Sequence, residues 1–267
     1  MVLTIERFQL IKEHERIAVA VSGGKDSQTT LFLLHRLYGD RVRAIAIDEG
    51  IPGYRDSTLT DLRAFCEQYG IPYQVHSFRD AFGADLQQFL RSGAPPCRSC
   101  GVLRRFLLNK HSTGFDKVAT GHNLDDECQS VVMNLLKGNL FMSAKLGPVS
   151  GISHREGFTQ RIKPLYFCSE REVATYAFLR RFPVRFNECP HASDSFRSLV
   201  RDGLNVLEAQ HPGTKHQLID NFLAILPALH EQFRESPEPL SCTQCGQPST
   251  GKVCKACQTL EEFSYVH

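Results

Sequence analysis

Short apolar runs rich in β-branched residues alternate along the chain with longer stretches in which apolar positions recur every three or four residues. RIAVAV (16–21) is the first run; it leads into two glycines and then SQTTLFLLHRLYG (27–39), which has helical spacing and ends on a glycine stop. RVRAIAID (41–48) and STLTDLRAFCEQYG (57–70) repeat the pair, and IPYQVHSF (71–78) predicts a third strand. FDKVATGH (115–122) predicts a fourth, after a helix around VLRRFLLNKH (102–111). ECQSVVMNLLKGN (127–139) and SEREVATYAFLRRF (169–182) predict further helices, and residues 205–233 predict two more. Strands alternating with helices at this pitch predict an α/β fold, a parallel sheet with helices on both faces. Ligands of such sheets lie beyond the carboxyl ends of the strands, which directs attention to residues 22–27.

The pattern breaks once. RESPEPLS (234–241) has no periodicity and reads as a linker, dividing the chain into a main domain (1–200), a helical extension (201–237) and a small C-terminal unit (238–267). With 267 residues and 42% hydrophobic content, the chain can bury a full core. The N-terminus carries Glu6 and Arg7 where a signal peptide would be apolar, and no apolar run approaches the roughly 18 residues of a membrane span. A cytoplasmic protein with no membrane partner is expected. Ten cysteines there point to metal rather than disulfides. The net charge of +2 is small, yet between Arg91 and Arg185 fifteen Lys/Arg stand against seven Asp/Glu. Such a stretch can meet a polyanion or simply be solvated helix faces.

Ser22-Gly23-Gly24-Lys25-Asp26-Ser27 is not a Walker A loop, but it has the parts of a phosphate cradle. Two glycines allow close backbone approach, the helix that follows offers amides, and Lys25 adds charge. ATGHNLDDE (119–127) places Gly121, His122, Asp125 and Asp126 just beyond another strand, with Asn123 or Asp125 as candidate helix cap. Cys97 and Cys100 form a CxxC before a basic helix, and Cys189 follows 89 residues after Cys100. Three thiolates suit a [4Fe–4S] cluster with one open iron, a zinc site completed by His191 or His122, or a redox pair at Cys97 and Cys100. Cys66, Cys128 and Cys168 read as buried structural thiols. In the tail, Cys242-x2-Cys245 and Cys254-x2-Cys257 have the spacing of a closed structural Zn2+ site.

Ser-Gly-Gly-x-Asp-Ser after a strand resembles the PP-loop ATP pyrophosphatases. AIDEGIPGYRDSTL, CRSCGVLRR, ATGHNLDDE, VVMNLLKGN, RIKPLYFCSEREVATYA and NECPHASDSFR, in this order, resemble the tRNA 2-thiouridine synthetases within that superfamily. The resemblance implies a nucleotide-hydrolase-type sheet and an enzyme that adenylates the C2 oxygen of a tRNA uridine and replaces it with sulfur. It implies Mg2+-ATP bound by Ser22, Gly23, Gly24, Lys25, Asp26, Ser27, Asp48, Gly121 and His122. Catalysis would fall to Lys25, Asp26, Asp125, Asp126, Cys97 and Cys189, with a [4Fe–4S] cluster on Cys97, Cys100 and Cys189. Sulfide or a thiocarboxylated ubiquitin-like protein would supply sulfur, and Arg98, Arg104, Arg105, Lys163 and Arg180 would receive tRNA. The chain could act as a homodimer. Members of the family usually carry a further two-pair zinc finger before the first strand, whereas no cysteine here precedes Cys66. Only 22% charged residues and ten oxidisable cysteines favour the wobble uridine over the heat-adaptive T-loop uridine. Other functions open to the residues are small-molecule sulfur transfer or ligation and non-catalytic RNA binding.

Overall fold

In a computed structural model, described for residues 1–90, 96–152, 159–185, 189–191, 196–234 and 240–264, five strands form one parallel sheet. They are β1 (Ile17–Val21), β2 (Val42–Asp48), β3 (Tyr73–Ser77), β4 (Lys117–Thr120) and β5 (Gln160–Ile162), in the order β3-β2-β1-β4-β5. The helices up to the third strand are α1 (Val2–Arg7), α2 (Lys25–Tyr38) and α3 (Arg55–Tyr69). Then come α4 (Phe78–Phe82), α5 (Leu86–Leu90), α6 (Pro96–His111), α7 (Leu124–Leu136) and α8 (Leu140–Ser143). The last are α9 (Glu170–Leu179), α10 (Phe196–Gln210), α11 (Thr214–Gln232) and α12 (Lys255–Ser264), the last of these beside a ribbon of β6 (Leu240–Ser241) and β7 (Pro248–Ser249).

Alternation along β1 sorts the core. Ile17, Val19 and Val21 pack with Leu31, Leu34, Leu59, Leu62 and Phe65 of α2 and α3 on one face. Ala18 joins Ile45, Ile47 and Val118 against Leu103 and Leu107 of α6 on the other. Both faces are covered, as an all-parallel sheet requires. The expected boundary at residue 200 falls inside α10, because Val200 and Leu204 pack with Leu124, Cys128 and Val131 of α7 and with Ile219 and Phe222 of α11. Residues 235–239 of the expected linker, residues 91–95 at the start of the basic stretch, and residues 187–188 and 192–195 of the Cys189 motif lie outside the described residues. Among the described residues no helix is long and apolar enough to cross a membrane.

Strand order reverses between β1 and β4. Connections from β1 run outward through β2 to β3, and the chain then returns to β4 and β5 on the other side. A crevice opens at the carboxyl ends of strands at such a switch point. Residues 22–27 follow β1 and residues 121–126 follow β4, so the two polar motifs meet there.

Candidate active site

The chain turns over Ser22, Gly23 and Gly24 into α2. Gly23 has φ +87°, and a Cβ there would fall 2.5 Å from the Thr58 carbonyl oxygen, so glycine is needed for both conformation and space. The Ser22 amide donates to Ser27 Oγ at 3.2 Å, and Ser27 Oγ donates to the Gly24 carbonyl at 2.9 Å, which closes the loop on itself. Buried Arg55 donates to the carbonyls of Ser22 and Ile47 and lies 3.0 Å from the Glu49 carboxylate. The loop is thereby tied to the end of β2, where Asp48 accepts from the Gly50 amide at 2.9 Å. The N-terminus of α2 carries no side-chain cap, leaving its dipole and first-turn amides to face an anion.

Lys25 lies 3.0 Å from Asp26 Oδ2 and 2.8 Å from Glu170 Oε1. Desolvation lowers the affinity of this amine for its proton, but Asp26 and Glu170 together outweigh it and hold the pKa above 10.5, so Lys25 is a cation at neutral pH. Asn123 joins the two motifs: its Nδ2 donates to Asp26 Oδ1 at 3.2 Å, and its Oδ1 accepts from the Asp126 amide at 3.1 Å. Asn123 is the N-cap of α7, with Asp126 closing a capping box, so this helix starts three residues before its apolar pattern does. Burial pushes the Asp126 carboxyl up to about 6, with the Asn123 amide and Arg197, 3.6 Å away, opposing it. Its negative charge is thus under-compensated and suited to a cation. His122 pairs through Nδ1 with Thr120 Oγ1 at 2.8 Å. Its side chain reaches solvent; desolvation by the protein beneath it, then Lys163, Arg197, Arg104 and Arg161, lower the imidazole below 6.5 and favour the neutral form.

Asp125 does not join this group. It is buried, bonded to Lys215 Nζ, and accepts from the Glu170 amide at 2.7 Å at the start of α9. Its place is that of a mount: Lys215 holds Asp125, Asp125 holds the first residue of α9, and that residue holds Lys25. Lys163, expected to receive RNA, is instead 7% exposed and paired with Glu127 at 2.8 Å, because its strand end points it into the interior beneath α7.

Cys97 and Cys100 lie in the first turn of α6, and Cys97 Sγ donates to the His191 carbonyl at 3.3 Å. Cys100 and Cys189 are half-buried against one apolar cluster. Burial first, then Glu49, raises the Cys100 thiol to about 11, and Cys189 and Cys97 are near enough to add to the effect. His191 Nε2 pairs with Gln87 Nε2 at 3.3 Å, which leaves that nitrogen outside the thiol group. Among the described residues, only Cys242, Cys245, Cys254 and Cys257 bring three or more candidate ligand atoms within 4.8 Å of one another. No single-ion site is therefore preformed at Cys97, Cys100 and Cys189. Cys97 and Cys189 both lie near enough to Cys100 to act on its thiol, the donor set a polynuclear cluster would need. Of the thiols read as structural, Cys66 and Cys128 are buried and raised to about 12, and Cys168 is half-buried.

The tail cysteines differ. Sulfurs of Cys242 and Cys257 are 3.9 Å apart and those of Cys245 and Cys254 3.8 Å. A tetrahedron with metal–sulfur bonds of about 2.3 Å has an edge of about 3.8 Å. The Cys254 amide donates to Cys242 Sγ at 3.2 Å and, first among several such bonds, pulls that thiol down to about 6, toward the thiolate a metal needs. Gly246, at φ +72°, makes the tight knuckle after the first pair.

The sequence profile of the PP-loop domain matches residues 2–207. The chain is 35% identical to the tRNA-5-methyluridine(54) 2-sulfurtransferase of Pyrococcus horikoshii, over 96% of this chain and 81% of that protein. It is 34% identical to cytoplasmic tRNA 2-thiolation protein 1 of Chlamydomonas reinhardtii, over 97% of this chain and 74% of that one. The solved structure of the U34-tRNA thiolase NcsA from Methanococcus maripaludis with its [4Fe–4S] cluster superposes with a TM-score of 0.81 at 34% identity, covering 97% of this chain and 85% of that chain. This chain belongs to the PP-loop tRNA 2-thiolation sulfurtransferases.

Within this thiolation family fold, several supporting residues carry no sequence signal of their own. Arg55, Glu49 and Lys215 are charged residues marked by burial, and Glu170 and Lys215 by partners far along the chain. Gly121 has a different signature. A Cβ there would sit 2.7 Å from the Ser27 nitrogen and 2.8 Å from the Asp26 carbonyl carbon, both backbone. Gly121→Ala in the thiolation enzyme is expected to cost about 1–3 kcal/mol of stability by overpacking. It is expected to weaken ATP binding about tenfold or more by prying β4 from the PP-loop. Thermal unfolding and nucleotide titration check this; unchanged ATP affinity refutes it.

Proposed function

We propose that this protein activates the C2 oxygen of a tRNA uridine with Mg2+-ATP and exchanges that oxygen for sulfur, acting at the wobble position in the cytoplasm. The observation that carries the reading is the meeting of Lys25, Asp26 and the open N-terminus of α2 with the Asn123–Asp126 cap at the switch point of the sheet, next to three convergent thiols. The β,γ-phosphates of ATP fit the amides of residues 23–27, and Asp26 and Asp126 would hold Mg2+, which would offset the phosphate charge. The uridine oxygen attacks the α-phosphorus, an O-adenylated uridine forms, and pyrophosphate leaves. Lys25 exchanges Glu170 for the departing pyrophosphate and stabilises its growing charge. Sulfide then adds at C2, the C2–O bond breaks, and AMP departs with the oxygen.

Cys97, Cys100 and Cys189 fit as ligands of a [4Fe–4S] cluster, which when bound supplies an iron open to external sulfide. Around it the chain positions groups: Glu49 links Arg55 under the PP-loop to Arg104 on α6, 3.6 Å away, so the nucleotide and thiol sites share one ion chain. Zn2+ at Cys242, Cys245, Cys254 and Cys257 has a structural role. Arg98, Arg104, Arg105 and Arg180 remain for the RNA backbone.

The experiment is to incubate the anaerobically purified protein with ATP, Mg2+, sulfide and unmodified tRNA. The expected products are AMP and pyrophosphate, with sulfur mapped by mass spectrometry to the anticodon-loop fragment. ADP as the main product overturns the adenylation step. Sulfur confined to the T-loop fragment overturns the wobble choice, which rests on the modest 22% charge content and ten oxidisable cysteines of this chain.

A further inference from the structure

The four-cysteine ribbon is not a free appendage. Cys242, Cys254, Ala256 and Cys257 share one buried cluster with Phe89 of α5 and with Leu103 and Leu107 of α6. The ring of Phe263, on α12, lies with its centroid 4.5 Å from that of Phe89. Cys100 and Cys189 pack, half-buried, against this same cluster. The ribbon thus grips the helix whose first turn holds Cys97 and Cys100.

We propose that the C-terminal ribbon is a positioning element for the thiol site: closed on a metal, it clamps α5 and α6 and thereby sets where Cys97 and Cys100 stand relative to Cys189. Two strands of two residues and one helix have no core of their own, so metal binding supplies the order of the unit. The apolar side of that ordered unit is buried on α5 and α6. Opening the ribbon withdraws Phe263 from Phe89 and bares apolar surface on both helices. A helix end with fewer buried contacts opens more often, and the first turn of α6 is such an end. The proposal rests on the reading of Cys97, Cys100 and Cys189 as the sulfur-handling site, and it refines that reading by assigning the distant cysteines a part in it.

The test uses the full-length chain and Phe263→Ala, which alters no thiol. Zinc content is counted first. Alkylation of Cys100 by iodoacetamide is then followed by peptide mass spectrometry in iron-free protein, and iron retention against a chelator is followed after anaerobic reconstitution. Zinc content is expected to be unchanged, Cys100 to react about 2- to 10-fold faster, as loss of one aromatic pair implies, and iron to be lost correspondingly faster. Cys245→Ser, which opens the ribbon from the metal side, is expected to accelerate Cys100 in the same way. Unchanged Cys100 reactivity in both variants overturns the clamp. Faster Cys100 reactivity in a protein that takes up no iron even as wild type upholds the clamp and overturns the cluster reading instead.

Discussion

Lys25→Ala lowers the turnover of ATP to AMP by about 10²–10³-fold, the scale seen when a preorganised charge-stabilising group is removed from a reacting centre. The reason is visible in its surroundings. Lys25 is the cation on the first turn of α2, and it stays protonated across neutral pH because Asp26 and Glu170 outweigh its desolvation. Without it, pyrophosphate would leave beside two carboxylates with its nearest side-chain cation gone, and only the α2 amides and Mg2+ left to offset its charge. The fold is expected to survive, since Glu170 is half exposed and such pairs contribute little to stability. Rapid-quench measurement of AMP, alongside thermal unfolding, makes the check. Turnover within about tenfold of wild type would remove Lys25 from the chemistry.

The largest effect on stability is expected at Lys215. Lys215→Ala leaves Asp125 as a buried carboxylate whose remaining bond is to the Glu170 amide. Breaking a buried pair from one side costs about 3–5 kcal/mol, here a fall in Tm of roughly 6–20 °C. Asn205 Oδ1, 2.6 Å from the ammonium, loses its donor as well. ATP affinity is expected to fall with it, because α9 and hence Glu170 and Lys25 lose their mount. Calorimetry gives the first quantity and nucleotide titration the second. A Tm change under about 2 °C would show that Asp125 finds another partner.

The sequence pattern carried the sheet almost entire, and the reasons are physical. β1, β2 and β4 are mostly buried on both faces and read as short runs rich in apolar residues, with ends within two residues of those observed. β5 was not legible. It has three residues, Gln160, Arg161 and Ile162, at the sheet edge, and pairing with β4 rather than its own apolar content makes it a strand. The short α4 and α5 follow β3 without an amphipathic repeat long enough to see. At the site, the PP-loop and the cap of α7 are local motifs, so residues 22–27 and Asn123–Asp126 could be read directly. The Lys215–Asp125 pair spans 90 residues and the Lys163–Glu127 pair 36. A charged residue alone in a sequence does not tell which is buried, and this is why Asp125 reads as catalytic and Lys163 as an RNA contact.

The place of the ribbon along the chain also bears on the order of assembly. Cys242 follows Cys100 by 142 residues, so at about 5–20 residues per second the cysteine helix leaves the ribosome roughly 7–30 s before the unit that grips it begins to emerge. The sheet has all its strands by then, since β5 ends at Ile162. If the proposed clamp holds, the nascent protein would pass through a stage with all five strands made and a thiol group not yet clamped. On the proposed cluster reading, Cys189 completes the thiol group 53 residues before Cys242, so iron delivered in the roughly 3–11 s between them would meet a site still without its clamp.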